Sequence, residues 1–296
     1  MTKKFLAAAS LAFSISALVG APAFAGTLTN PSIGGTAPSD YLTYDANNVN
    51  TFVVPNTPAN LQKVLGGDAT SPTGNVEVFA NSEALTPAQF AAYNQETTLQ
   101  GTIGGLPITL SSLTFADWNT NNFGKTWLSA ALAANGYTQN ADFVVPIINK
   151  SLYTLFVEAG GLQRFSDPNF SYVNQDDQTG DITIGLAGHL DARDVVLSPT
   201  IWAIAESFRT ADKKGQAVQI SEVFKYNYNG QIGYGYSFSA TPSGLFELGD
   251  QKSHNGNYEI VLKGVPPQSV PEPSIVLGLM GLGGLALTRR KPSQSA

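Results

Sequence analysis

Few residues in this chain have types suited to chemistry. Two histidines, His189 and His254, and no cysteine exclude a His-only metal centre, a thiolate zinc site, a disulfide framework and a cysteine nucleophile. "GHLDARD" places His189 near Asp191, Arg193 and Asp194, the residue types of a base with an orienting acid. Residues two apart on a strand share a side without touching, and no serine stands in a Gly-x-Ser-x-Gly turn, so a hydrogen-bonded strand end is the plainer expectation. Glu158, Glu206, Asp191 and Asp194 are the carboxylates that could pair for glycoside hydrolysis, a chemistry set by a separation of roughly 5–10 Å that sequence does not show. Asp176, Asp177 and Asp181 in "NQDDQTGD" gather hard oxygen ligands on one turn. They are calcium candidates only, because the glycine and closing glutamate of a twelve-residue calcium loop are missing, and a solvated hairpin turn is expected. "FGKT", Phe123 to Thr126, resembles the end of a phosphate-binding loop, but Asn119 stands where the first glycine is required. Tyr226, Tyr228, Tyr234 and Tyr236 could stack sugar rings, although strand aromatics more often fill a core. No cofactor is expected from this inventory.

The elements that must position these residues are legible in part. Residues 26–74, rich in Pro, Gly, Asn and Thr, are expected to be irregular, with short strand-like pieces at Tyr41–Asp45 and Thr51–Pro55. "NVEVFA", Asn75 to Ala80, alternates like a strand. Helix signals follow. "TPAQFAAYNQETTL" has a Thr cap and a first-turn proline, with Phe90, Tyr93 and Thr97 on one side. "KTWLSAALAANG" carries Trp127, Leu128, Ala131 and Leu132 at helical spacing, and "NKSLYTLFVEAGG" repeats the design before Gly160-Gly161. In "SPTIWAIAESFRTADKKG" a helix is expected from Ser198, with Lys213 and Lys214 at its negative end and Gly215 as its stop.

Strands dominate the second half. A hairpin is expected from Phe170 to Gly188. Asn229-Gly230 marks a second, whose register sets Tyr226 opposite Gly233 and Phe224 opposite Gly235, so that each ring lies over bare backbone. Asn257 to Leu262 is the last strand. The fold expected is α+β: an antiparallel sheet with several helices behind a less regular N-terminal part, closed by a short C-terminal transmembrane sorting helix. The organisation expected is 1–25, 26–74, 75–265 and 266–296.

Both ends read as addresses. Lys3 and Lys4, an apolar run from Phe5 to Val19 and the small-residue exit Ala23-Phe24-Ala25 have the order of a secretory signal peptide, cut by signal peptidase after Ala25. The exported body, Gly26 to Ser269, then carries 11 basic and 21 acidic residues, a formal charge of −10, which argues against nucleic-acid binding. Only 13% of the chain is charged, and neutral polar residues take up the difference, as suits an extracellular setting.

At the far end, Pro271-Glu272-Pro273 precedes fourteen largely apolar residues, Ser274 to Leu287, and then Arg289, Arg290 and Lys291. As a helix that segment spans about 21 Å, less than a hydrocarbon core of roughly 30 Å, and Gly278, Gly281, Gly283 and Gly284 weaken it. The cationic end stays cytoplasmic, leaving Pro-Glu-Pro on the exported side. Paired with the signal peptide, this tail resembles that of the PEP-CTERM family of exported proteins. The resemblance covers about the last 25 residues. It implies processing by an exosortase, a Gram-negative cell with an exopolysaccharide-associated export system, transient residence in the inner membrane, and delivery to the cell surface or matrix. The body is expected to be a non-enzymatic structural or glycan-binding component of exopolysaccharide. A secreted glycan-active hydrolase using a carboxylate pair is the rival.

Overall fold

The computed structural model describes residues 24–196 and 199–267. The strands, in chain order, are β1 (Phe24–Thr27), β2 (Thr29–Gly35), β3 (Tyr41–Ala46), β4 (Asn50–Val54), β5 (Gly74–Val78), β6 (Thr97–Ile103), β7 (Leu106–Ser111), β8 (Val144–Val145) and β9 (Lys150–Ser151). They continue with β10 (Asn169–Asp176), β11 (Ile182–Gly188), β12 (Phe224–Tyr228), β13 (Gln231–Gly235), β14 (Ala240–Pro242), β15 (Phe246–Glu247) and β16 (Gly256–Leu262). The helices are α1 (Pro58–Val64), α2 (Pro87–Ala92), α3 (Phe115–Asn119), α4 (Phe123–Ala134), α5 (Leu152–Glu158), α6 (Gly161–Arg164), α7 (Arg193–Val196) and α8 (Pro199–Glu206).

A nine-stranded sheet runs β14-β16-β11-β10-β5-β3-β4-β15, with β1 also paired to β10, and a five-stranded sheet runs β13-β12-β7-β6-β2. The pairings are antiparallel except β15 on β4. Strand alternation sends one face of each sheet inward. Val76, Val78, Phe170, Ile182, Ile184, Leu186 and Ile260 of the larger sheet share a core with Leu99, Ile103, Ile108 and Leu110 of the smaller, and Leu61 and Val64 of α1 join it. A second core, built on Trp118, Trp127, Leu128, Phe156 and Phe165, gathers the other helices.

The main departure from expectation is the segment 26–74, which supplies strands to both sheets and the helix α1. Its prolines and glycines sit where sheets tolerate them: Pro31 lies at a register shift in the edge strand β2. The strands are pinned by distant partners, β3 by β5 and β4 by β15, so local composition understates them.

Two helices are shorter than expected. α2 ends at Ala92, and Thr97 opens β6 instead, paired with Gly35 of β2. α8 ends at Glu206 rather than near Lys213. There the buried Arg209 donates to the carbonyls of Asn135, Gln216 and Ala217, which turns the chain away from the helix axis, while Gly215 takes φ +75° as a stop. The Asn229-Gly230 hairpin has the register read from its sequence, Phe224 opposite Gly235 and Tyr226 opposite Gly233.

Candidate functional site

The outward face of the large sheet carries a carboxyl-lined cavity. In β5 the inward Val76 and Val78 leave Asn75 and Glu77 on the opposite face. The ladder sets Asn169 of β10 against Glu77, and the Tyr44 hydroxyl of β3 donates to Glu77 Oε2 at 3.1 Å. Just before β10, Asp167 Oδ2 accepts from the Ser82 hydroxyl at 2.8 Å, whereas its Oδ1 has no hydrogen-bond partner. Glu222 Oε2 accepts from the backbone N–H of Asn169 at 3.4 Å. The loop between β15 and β16 closes over these groups with Asp250, Ser253 and His254, and His189 stands at the end of β11. Together they enclose about 160 Å³. Glu83, His189, Asp250 and Ser253 also line an adjoining, wider cleft of about 680 Å³, to which Arg164, Arg193 and Lys252 contribute.

Burial governs the charge inside. It raises the Glu77 carboxyl to about 8, with Glu83, Glu247 and Asp40 adding to the rise against the Tyr44 hydrogen bond. Burial, reinforced by neighbouring acids, also pushes Asp167 and Glu222 well above the carboxylate range. Glu77 and Glu222 keep some surface toward the cavity, while Asp167 is 3% exposed. Asp250 differs: burial pulls it up, but the Ser253 hydroxyl and the Lys252 and Ser253 amides hold it below its usual value. His254 is buried and lowered to about 4, hence neutral, with Nδ1 2.7 Å from the Thr51 hydroxyl. Phe79, two residues past Glu77, and His254 both hold positive φ, 65° and 63°, a backbone state that non-glycine residues seldom adopt.

Of the residues singled out from sequence, His189, Asp191 and Arg193 line the wider cleft together, and His189 also reaches the inner cavity; the others are placed apart from it. Asp191 takes Arg193 Nε at 2.9 and 3.0 Å and the Val218 amide at 3.2 Å, which hold its carboxyl low despite burial, so its partner is Arg193. His189 Nε2 lies 3.4 Å from the Ser253 hydroxyl. Asp194 belongs to α7. Glu158 pairs with Lys150 at 2.7 Å, and Glu206 lies near Arg209 and the Tyr137 hydroxyl. Glu158, Asp191 and Glu206 thus each stand beside a different cation. Asp176 accepts from the Gln178 and Thr179 amides, and Asp181 pairs with Lys263 at 2.9 Å. Among the described residues, no group of three or more His, Asp or Glu side chains could hold a metal ion. Gly124 to Thr126 lie inside α4.

Nor do the four tyrosines make one exposed row. Tyr228 is buried, and its hydroxyl accepts from the Val265 amide. Tyr234 stacks on Phe123 at 4.3 Å and donates to Asp117, and Tyr236 packs on Phe238. Tyr226 lies partly exposed over Gly233. Glu77, Asp167 and Glu222 were missed in the sequence. For Glu77 and Glu222 the signal was an acid set among apolar residues, "VEV" and "SEVF"; Asp167, in "SDP", carries no such signal.

A family model described as the PEP-CTERM protein-sorting motif matches residues 269–291. The chain carries a PEP-CTERM sorting motif. It is therefore an exported protein sorted by an exosortase, on a route that passes the membrane. No curated protein and no solved structure matches the chain. Pro271, Glu272, Pro273, the apolar segment and Arg289 to Lys291 lie outside the described residues, as do residues 1–23 of the leader, Ala23 included. Among the described residues no helix is long and apolar enough to cross a membrane.

The two ends of the body that adjoin the sorting segments meet at Gln175. Gly26 stands opposite Gln175 in the β1–β10 ladder, and Gln175 Nε2 donates to the Val265 carbonyl at 2.9 Å. Ala25, the expected cleavage position, is the second residue of β1, so a cut after it leaves Gly26 and Thr27 in that ladder. Asn169, which lines the cavity, lies six residues earlier on β10, about 20 Å along the strand.

Proposed function

We propose that the PEP-CTERM tail delivers this protein to the cell surface or matrix, where its body binds a glycan of the exopolysaccharide in the carboxyl-lined cavity. The observation that carries this reading is the unpartnered, buried Asp167 Oδ1 beside Glu77, Glu222 and Asn169 in a cavity that adjoins a wider cleft. Buried polar atoms without partners are costly, and a ligand donor satisfies them. Protonated carboxyls both donate and accept, which suits sugar hydroxyls. The position agrees with tethering: both sorting ends leave the body about 20 Å along β10 from the cavity, so a held chain keeps its cavity free. Signal peptidase cuts after Ala25, and the exosortase removes the tail.

A second reading has its own support. Glu222, held protonated by burial, and Asp250, held ionised by its loop, offer an acid and a carboxylate at one cleft, as glycoside hydrolysis requires. One experiment separates the two. Protein recovered from the cell surface is incubated with the exopolysaccharide of the producing cells, and bound polymer and new reducing ends are both measured. Retention without new ends supports binding, new ends that vanish in Glu222→Gln support hydrolysis, and neither result rejects the cavity as a glycan site.

A further inference from the structure

The chemistry of the inner cavity is more selective than glycan binding requires. Among the described residues six acids line it, Glu77, Glu83, Asp167, Glu222, Glu247 and Asp250, and no Lys or Arg does. The other titratable groups facing it are Tyr44, His189 and His254, of which His254 is neutral. Asp40 adds a further negative charge near Glu77. Among the described lining residues Asp167 Oδ1 and Asn169 Oδ1 are buried without partners, and both are acceptors once the Asp167 carboxyl gives up its proton. All of this asks for a donor with positive charge.

Resting on the reading of the cavity as a binding site, we propose that it takes a small polyhydroxylated ligand by a primary ammonium group, seated among Asp167, Asn169, Glu77 and Glu222. An ammonium has three donors and no acceptor, matching a wall of acceptors that lacks a cation. Its charge replaces the protons that the carboxyls otherwise retain, so those protons leave on binding. The volume of about 160 Å³ is near half the lower bound of drug-sized pockets, about 300 Å³, which suits one sugar ring rather than a chain. The adjoining cleft, with Arg164, Arg193 and Lys252, is open to the rest of a longer ligand. The ligand class is an amino sugar with its amine free.

The test is titration calorimetry on surface-recovered protein with D-glucosamine, N-acetyl-D-glucosamine and D-glucose, near pH 7 and pH 5 and in buffers of different ionisation heat. Glucosamine is expected to bind at least about tenfold tighter than the other two, to release protons, and to weaken toward about pH 5 as the carboxyls hold their protons. Asp167→Asn and Glu222→Gln are each expected to lower its affinity about tenfold. If one variant fails to fold, the other and the proton release carry the test. Equal binding of the three sugars, or no proton release, overturns the ammonium proposal and leaves the cavity as a glycan site. No binding of any sugar, together with retention of the exopolysaccharide by both variants, overturns the cavity reading itself.

Discussion

Gln175 Nε2 donates a hydrogen bond of 2.9 Å to the carbonyl oxygen of Val265. The same side chain donates to Gly180 O at 3.0 Å, and Gly26 pairs with its backbone. One buried amide thus ties the β10–β11 turn to the last residues before the tail, at the position whose backbone also pairs with the start of the exported body. Gln175→Ala is expected to lower stability by about 2 kcal/mol, since two carbonyls lose their donor. Urea unfolding would show the loss, and proteolysis near Val265 should quicken. A loss below about 0.5 kcal/mol would mean that the clip does not hold the end.

Two glycines in one hairpin should respond unequally. A Cβ on Gly235 would lie 2.2 Å from Phe224 Cζ, in a ring sealed within the sheet core, and a Cβ on Gly233 would lie 2.5 Å from the hydroxyl of the partly exposed Tyr226. Gly235→Ala is expected to cost about 1–3 kcal/mol, and Gly233→Ala less than about 1, because Tyr226 can swing outward. Thermal melts of the two variants check the order.

This hairpin also shows why part of the fold was legible. Its turn, alternation and ring-over-glycine pairing lie within a dozen residues, so local rules suffice. The same holds for α4, with Trp127, Leu128, Ala131 and Leu132 buried and Gly136 at φ +81°. The cavity was not legible for the opposite reason. Glu77, Asp167 and Glu222 come from three distant stretches, and only the β5–β10 pairing and the chain leading into β12 bring them together. Glu158, Glu206 and Asp191 drew notice from local context, yet each lies beside a cation. Apolar neighbours in "VEV" and "SEVF" mark Glu77 and Glu222 as unusual, but their meeting in one cavity is a property of tertiary pairing.

The buried acids should leave a pH signature. Glu77 is raised in the fold from 4.5 to about 8, so its contribution to stability is full below about pH 4.5 and lost as pH rises through about 8. His254 is lowered from 6.5 to about 4 and contributes in the opposite sense, which is complete above about pH 6.5. Between about pH 6.5 and 8 the melting temperature should therefore fall. Glu77→Gln should flatten that fall, and Glu77→Gln with Glu222→Gln should flatten it further. A wild-type melting temperature that rises over this window would contradict the burial of charge described above.

Processing of the tail is open to a direct check. Glu272→Ala is expected to keep the protein in the membrane fraction with Arg289, Arg290 and Lys291 attached, while intact-mass measurement of surface wild type should find those three residues gone. Surface wild type retaining them would show a permanent anchor instead.

The central claim is that the carboxyl-lined cavity is where the exported body meets its ligand. A crystal structure of surface-recovered protein with an oligosaccharide cut from the matrix polymer tests it most directly. The account predicts a ligand donor within about 3 Å of Asp167 Oδ1. Oligosaccharide bound along the Tyr226 hairpin, with the cavity empty, would contradict it.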